Sequence, residues 1–242
     1  MNIVLFEEGE IEAGYLPNND DRVEHVKKVL RRDVGESFDA GQIHGKRGKA
    51  TVLEYGSVSM SLRFDLEIEE PKLLPIDLVV GLSRPQTMRK ILNEATSLGV
   101  RSIRFVVTER GEPSYAQSRL WTTGEWRRHA LAGAAQAFTT RLPVVSWGMP
   151  LEEALGAFGC SDERLLALDN YEAMTRLGLA VGDCEAIALA VGSERGWTGP
   201  ERQLLRERGW QLVDMGKRVL RTETAVVAAV GVARELMELP LG

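Results

Sequence analysis

Arg221-Thr222-Glu223-Thr224 sets a guanidinium and a carboxylate two residues apart, where the loop after Met215-Gly216 runs into an apolar helix. A fixed cation there can stabilise negative charge developing on a bound ring, and a carboxylate can accept a proton or hold the guanidinium in place. A second loop, Gly192-Ser193-Glu194-Arg195-Gly196, closes another apolar run. Glycines in both loops let backbone approach a ligand closely. A plainer reading stays open: both are tight strand-to-helix turns, Thr222 and Thr224 are caps, and Glu223 sits well near the positive end of a helix. The Gly192–Gly196 loop is not GxGxxG and lacks a Walker lysine with serine or threonine, so a dinucleotide or nucleoside triphosphate fits poorly. Three scattered histidines, His25, His44 and His129, and two cysteines, Cys160 and Cys184, without CxxC spacing argue against a metal.

The elements that must position these loops run from Glu185 to Ala225. Ala186 to Val191 is continuously apolar, as in a strand buried on both faces of a parallel sheet. Thr198 with Glu201 fits a capping box that opens a helix. Trp210 to Val213 reads as a strand and Val226 to Met237 as a helix. Both loops therefore lie at the carboxyl ends of strands, where open α/β sheets bind ligands.

Upstream, strands and helices alternate. Ile76 to Leu82 is a strand, and Pro85 starts a helix carrying Met88, Ile91, Leu92 and Ala95 that Gly99 ends. Ile103 to Val107, Val144 to Ser146 and Arg164 to Leu168 are further strands; Trp121 to Ala137 and Leu151 to Phe158 are helical. That order implies an α/β parallel sheet. Residues 1–70 are instead β-rich, with strands at Asn2 to Phe6, Ala50 to Tyr55 and Leu62 to Ile68. A helix over Arg22 to Arg32 places Val23, Val26, Val29 and Leu30 inward and Lys27, Lys28, Arg31 and Arg32 outward. The proline-bearing stretch Glu69 to Pro75 separates two domains, 1–70 and 71–242.

The net charge of −5 excludes a uniformly basic nucleic-acid binder, yet charge is segregated. Arg22 to Lys49 holds eight Lys/Arg against four Asp/Glu, and Arg84 to Arg141 ten against four. Such clustering permits an RNA-facing side, although solvated helix faces give the same pattern. Two thiols, no signal peptide and no apolar run of spanning length point to the cytoplasm.

Met215-Gly216-Lys217-Arg218-Val219-Leu220-Arg221-Thr222-Glu223-Thr224-Ala225 resembles the knot-loop signature of SPOUT methyltransferases that modify uridine N3 in small-subunit ribosomal RNA, the RsmE family. Gly192, Glu194 and Gly196 match that family's glycine-proline-glutamate-glycine-glycine loop, with Ser193 in place of the proline and Arg195 in place of a glycine. His25, Val29, Leu30, Arg31 and Gly35, then Thr108-Glu109-Arg110, and Gln136, Arg141 and Pro143, extend the resemblance over nearly the whole chain. It implies an amino-terminal PUA-like β-barrel, a carboxy-terminal SPOUT trefoil-knot domain, a homodimer, and S-adenosylmethionine as cofactor without metal. The implied cofactor contacts are Leu168, Gly192, Glu194, Gly196, Met215, Gly216, Val219, Leu220, Thr224 and Ala225. Arg221 and Glu223 are the catalytic candidates. Lys27, Arg31, Arg32, Arg128 and Arg141 are the candidates for contact with ribosomal RNA of the small subunit. Two alternatives remain: a paralogue that methylates another nucleotide, prompted by Ser193 and Arg195, and an inactive RNA-binding protein on the same scaffold.

Overall fold

Two patterns of apolar residues give two different sheets. The computed structural model describes residues 2–159 and 162–237, so Cys160 lies outside the described residues. The chain divides into two units, Met1–Lys72 with Ala134–Leu142, and Leu73–Gly133 with Pro143–Gly242. The sequence puts its boundary at 70/71 and has no signal that assigns Ala134–Leu142 to the first unit.

The first unit contains β1 (Val4–Phe6), α1 (Glu8–Ala13), β2 (Tyr15–Pro17), α2 (Asp21–Glu24), β3 (Ser37–Gln42), β4 (Arg47–Tyr55) and β5 (Ser59–Ile68). Its sheet has the order β1-β3-β4-β5-β2, with β1 parallel to β3 and the other pairs antiparallel. Register shifts at Arg47/Lys49 and Val52/Glu54 bend the β4–β5 ribbon, as bulges do, around a core of Phe6, Leu16, Val26, Phe38, Val52 and Met60. The helix expected over Arg22 to Arg32 is a correction. After one turn of α2, residues His25–Val29 are π-helical, and Arg31 has φ 52°. The i→i+5 spacing shifts the helical phase, so Val23 and Val26 stay buried while Val29 is 65% exposed rather than in the core.

The second unit contains β6 (Leu74–Gly81), α3 (Pro85–Ser97), β7 (Val100–Val107), α4 (Arg119–Thr122), α5 (Glu125–Gln136, whose residues from Ala134 on are assigned to the first unit), β8 (Val144–Pro150), α6 (Leu151–Leu155), β9 (Glu163–Leu168), β10 (Thr175–Arg176), α7 (Leu177–Ala180), β11 (Ala186–Val191), α8 (Gly199–Glu207), β12 (Gln211–Asp214) and α9 (Thr222–Leu236). The helix expected from Trp121 to Ala137 is interrupted: Gly124, at φ 73°, separates α4 from α5. Seven strands, all parallel, lie in the order β10-β12-β9-β11-β6-β7-β8. Ile91, Phe105, Leu189 and Val226 belong to one core, and Val79, Ala190, Trp197 and Leu205 to another. Two cores explain why β11 has no polar face: Leu189 and Ala190 point opposite ways and both are fully buried. Burying a leucine in this way contributes about 2 kcal/mol.

Register fixes the functional edge. Leu168 pairs with Val191 and with Val213, and Val191 also pairs with Val80. The carboxyl ends of β9, β11, β12 and β6 are therefore level, and the loops that follow them open side by side. Among the described residues, no helix is long and apolar enough to cross a membrane, and no group of three or more His, Cys, Asp or Glu could hold a metal ion.

Candidate active site

The loop after β11 is held by its own backbone and by both neighbours. Gly196 (φ 65°) donates its N–H to the Ser193 carbonyl at 2.8 Å. Behind it Trp197 is buried, and its indole N–H donates to the Leu168 carbonyl at 3.0 Å, tying the end of β9 to this loop. The Thr198–Glu201 capping box forms: the Thr198 N–H donates to Glu201 Oε2 at 2.8 Å and the Glu201 N–H to Thr198 Oγ1 at 3.2 Å. The other oxygen of Glu201 accepts the Glu109 N–H at 2.8 Å, which fastens the turn after β7.

After β12 the chain turns at Gly216 (φ 105°), whose N–H donates to the Asp214 carboxylate at 2.7 Å. It then runs exposed to Arg221, the N-cap of α9. The helix starts at Thr222, four residues before the first residue of the apolar run, so Glu223 lies in its first turn. Glu223 Oε1 accepts from Lys90 Nζ of α3 at 3.1 Å. Burial alone would raise the Glu223 carboxyl, but its own backbone N–H, the Lys90 ammonium and the Arg221 guanidinium outweigh that and hold it below the usual carboxylate range.

These loops enclose a cleft of about 860 Å³, within the usual size of small-molecule sites. Leu168, Gly192, Glu194, Gly196, Met215, Val219, Leu220 and Ala225 line it, together with Arg221 and Glu223. Gly216 and Thr224 do not; Thr224 is exposed on the first turn of α9. The cleft is apolar at Leu168, Val191 and Met215, and bare backbone at Gly192. A Cβ on Gly192 would meet the Gly196 backbone at 3.1 Å and the Trp197 ring at 3.4 Å, so a side chain here would crowd the loop.

Each RNA candidate has its own setting. Lys27 lies over the Tyr55 ring at 5.2 Å, the Arg32 carbonyl accepts the Tyr55 hydroxyl at 2.6 Å, and Arg31 is exposed. Arg141 belongs to the first unit and reaches the Glu70 carbonyl at 3.4 Å. Arg128 is 77% exposed on α5, 3.5 Å from Glu125.

Two pairs at the site are absent from the sequence reading of the chemistry. One is Lys90 with Glu223. The other is Asp169, which accepts the Tyr171 and Glu172 N–H groups on one oxygen and Arg202 Nε at 2.7 Å on the other, and so fixes the turn after β9. Asp169 at a strand end was visible, but its partner thirty-three residues later had no local signal.

Comparison with known proteins agrees with this arrangement. The RNA methyltransferase domain family matches residues 69–234. The ribosomal RNA small subunit methyltransferase E of Treponema pallidum is 39% identical over 243 residues, spanning 96% of this chain and 90% of that protein. The corresponding enzyme E 1 of Borreliella burgdorferi is 28% identical over 229 residues, covering 95% of each. The crystal structure of the Neisseria gonorrhoeae methyltransferase E bound to S-adenosyl methionine superposes with a TM-score of 0.78 at 27% identity, covering 97% of this chain and 98% of that one. The glycine loops, the cleft they share and these similarities make the chain a member of the ribosomal RNA small subunit methyltransferase E family.

Proposed function

We propose that the chain transfers a methyl group from S-adenosylmethionine to N3 of a uridine in small-subunit (16S) ribosomal RNA. The observation that most supports this reading is the convergence of three strand ends, carrying Leu168, Gly192–Gly196 and Met215–Ala225, on one cleft. The residues suit the cofactor. Leu168, Val191, Leu220 and Ala225 offer apolar surface to an adenosine, bare backbone at Gly192 and Gly196 offers hydrogen bonds, and the Glu194 carboxylate faces a cationic ligand. When bound, S-adenosylmethionine supplies an electrophilic methyl group, and alignment rather than metal is what the site must provide.

The chain's own residues do the rest. Arg221 orients the uracil through its forked donors and stabilises the anion spread over the ring oxygens. Glu223, paired with Lys90, stays ionised and is a weak proton acceptor; it holds the field around Arg221 while the N3 proton passes to water. The target base is taken unpaired or extruded. On the same reading residues 1–70 form a PUA-like barrel that grips RNA through Lys27, Arg31 and Arg32, and Arg128 and Arg141 also contact RNA. Residues 71–242 form a trefoil-knotted SPOUT domain, two copies pair as a homodimer, and the enzyme acts in the cytoplasm.

Mass-spectrometric mapping of ribosomal RNA from a deletion strain, with and without the restored gene, tests this. Loss of one N3-methyluridine that returns on complementation is the expected result. A methyl group lost elsewhere identifies a paralogue, and unchanged RNA with no cofactor heat in calorimetry identifies a binding protein.

A further inference from the structure

Five guanidiniums line the cleft, and besides Arg110 and Arg221 three of them stand on three different loops. Arg84 follows β6 and is the N-cap of α3; Arg195 lies in the loop after β11; Arg218 lies in the loop after β12. All three are exposed, and among the described residues none has a carboxylate partner. Five other arginines of this unit, Arg89, Arg101, Arg202, Arg206 and Arg208, each pair with an acid. Uncompensated cations gathered at one rim repel one another, and in a chain of net charge −5 acids to neutralise them are plentiful.

We infer that Arg84, Arg195 and Arg218 form a phosphate clamp that holds the RNA backbone on either side of the target base. The inference rests on the proposed RNA methylation and adds residues to it. A cofactor with a sulfonium cation does not account for them, because its single carboxylate needs at most one guanidinium and the others oppose its net charge. A polyanion accounts for all three. Their setting is also built before RNA arrives. The Arg84 backbone N–H donates to Glu194 Oε1 at 3.1 Å, and Arg110 Nη1 donates to the Arg195 carbonyl at 3.1 Å. Those two bonds brace the loop after β11 against the segments after β6 and β7. The backbone that carries Arg195 is thus ordered in advance, which removes part of the entropic cost of gripping a strand. No side chain caps α3 at Arg84, so the positive end of that helix faces the same lip. Arg195 also occupies a position that is glycine in the loop pattern this chain resembles, so its charge is an addition to a common frame.

The test uses the full chain and small-subunit ribosomal RNA from a strain lacking the gene. Filter binding over a potassium chloride series gives the slope of log K against log salt, and calorimetry gives S-adenosylmethionine affinity. Arg84→Gln, Arg195→Gln and Arg218→Gln are made singly and together; the Glu194 brace uses the Arg84 backbone, so it survives the change. Each single variant should reduce the slope by about 0.7 and the triple variant by about 2, the increments expected for single-strand phosphate contacts. Cofactor affinity should stay within twofold, and Arg208→Gln, at the far end of α8, should leave the slope unchanged. An undiminished slope in the triple variant overturns the clamp. A tenfold loss of cofactor affinity with the slope retained also overturns it, and assigns the guanidiniums to the cofactor carboxylate. Wild-type chain that binds no small-subunit RNA overturns the proposed function and the clamp with it.

Discussion

Gly81→Ala should uncouple the cofactor loop from the sheet without touching any group that does chemistry. Gly81 ends β6, paired with β7 at this level while β11 pairs with the rest of the strand. A Cβ there would lie 2.4 Å from the Ser193 nitrogen, 3.0 Å from the Gly192 carbonyl carbon and 3.1 Å from the Ser193 Cα. Ordinary contact begins near 3.4 Å, so about 1 Å must be found, and every atom involved is backbone. β6 is hydrogen-bonded on both sides and has little freedom, so the loop after β11 is the part that moves. A shift of that size takes Glu194 and Arg195 out of reach of their braces at 3.1 Å. Overpacking of this kind costs about 1–3 kcal/mol of stability. A displacement of about 1 Å at a positioning element can cost on the order of a hundredfold in function. We expect a folded variant with a lowered melting temperature and S-adenosylmethionine affinity reduced about 10- to 100-fold, about 1.4–2.8 kcal/mol by calorimetry. Gly231→Ala is the control: nothing lies within 4 Å of its Cβ, and in the middle of α9 alanine should stabilise by about 0.5–1 kcal/mol. Wild-type affinity and melting temperature in Gly81→Ala would refute the argument that this contact sets the loop.

Three further outcomes are expected. Arg221→Met should bind cofactor and RNA normally yet methylate on the order of a hundredfold more slowly in single turnover; near-normal rates would make Arg221 structural. Arg202→Met leaves Asp169, 2% exposed, without its cation and should destabilise the fold by about 3–5 kcal/mol in urea, whereas less than 1 kcal/mol would show that the N–H groups of Tyr171 and Glu172 suffice. Glu125 is held down to about 2 by Arg89 first and then by His129, so its stabilisation is complete above its ordinary value of 4.5 and disappears as pH falls toward 2. The melting-temperature gap between wild type and Glu125→Gln should therefore narrow as pH falls from about 5 toward 2; a gap at pH 2 as wide as at pH 5 would contradict it.

Much of the site was legible because local rules place it. The apolar run Ala186 to Val191, the Thr198–Glu201 box, Pro85 at the start of α3 and the glycine breaks all carry short-range signals, and each corresponds to an element. What the sequence could not provide is register and phase. Val29 was expected inward because 3.6-residue spacing was assumed, and the π turn at His25–Val29 gives a different spacing with no residue that announces it. Lys90 meets Glu223 across 133 residues because α3 and α9 pack together, a contact that neither segment encodes alone. The residue pattern itself shows Leu168 as a strand end, and only the family resemblance points to it as a cofactor contact; pairing with Val191 and Val213 is what brings it into the cleft.

The early start of α9 decides how the proposed chemistry is shared. Had the helix begun at Val226, Glu223 would lie in a loop, free to swing toward a substrate and accept its proton. Beginning at Thr222, the helix holds Glu223 in its first turn, where its own N–H, the helix dipole, Lys90 and Arg221 all favour the anion. A carboxylate stabilised from four directions is a poor base, since whatever lowers its affinity for a proton also lowers its power to take one. It is instead a fixed negative charge two residues from Arg221, whose field acts on that guanidinium. The acceleration then has to come from aligning the base and stabilising its anion, and the residue placed to do both is Arg221.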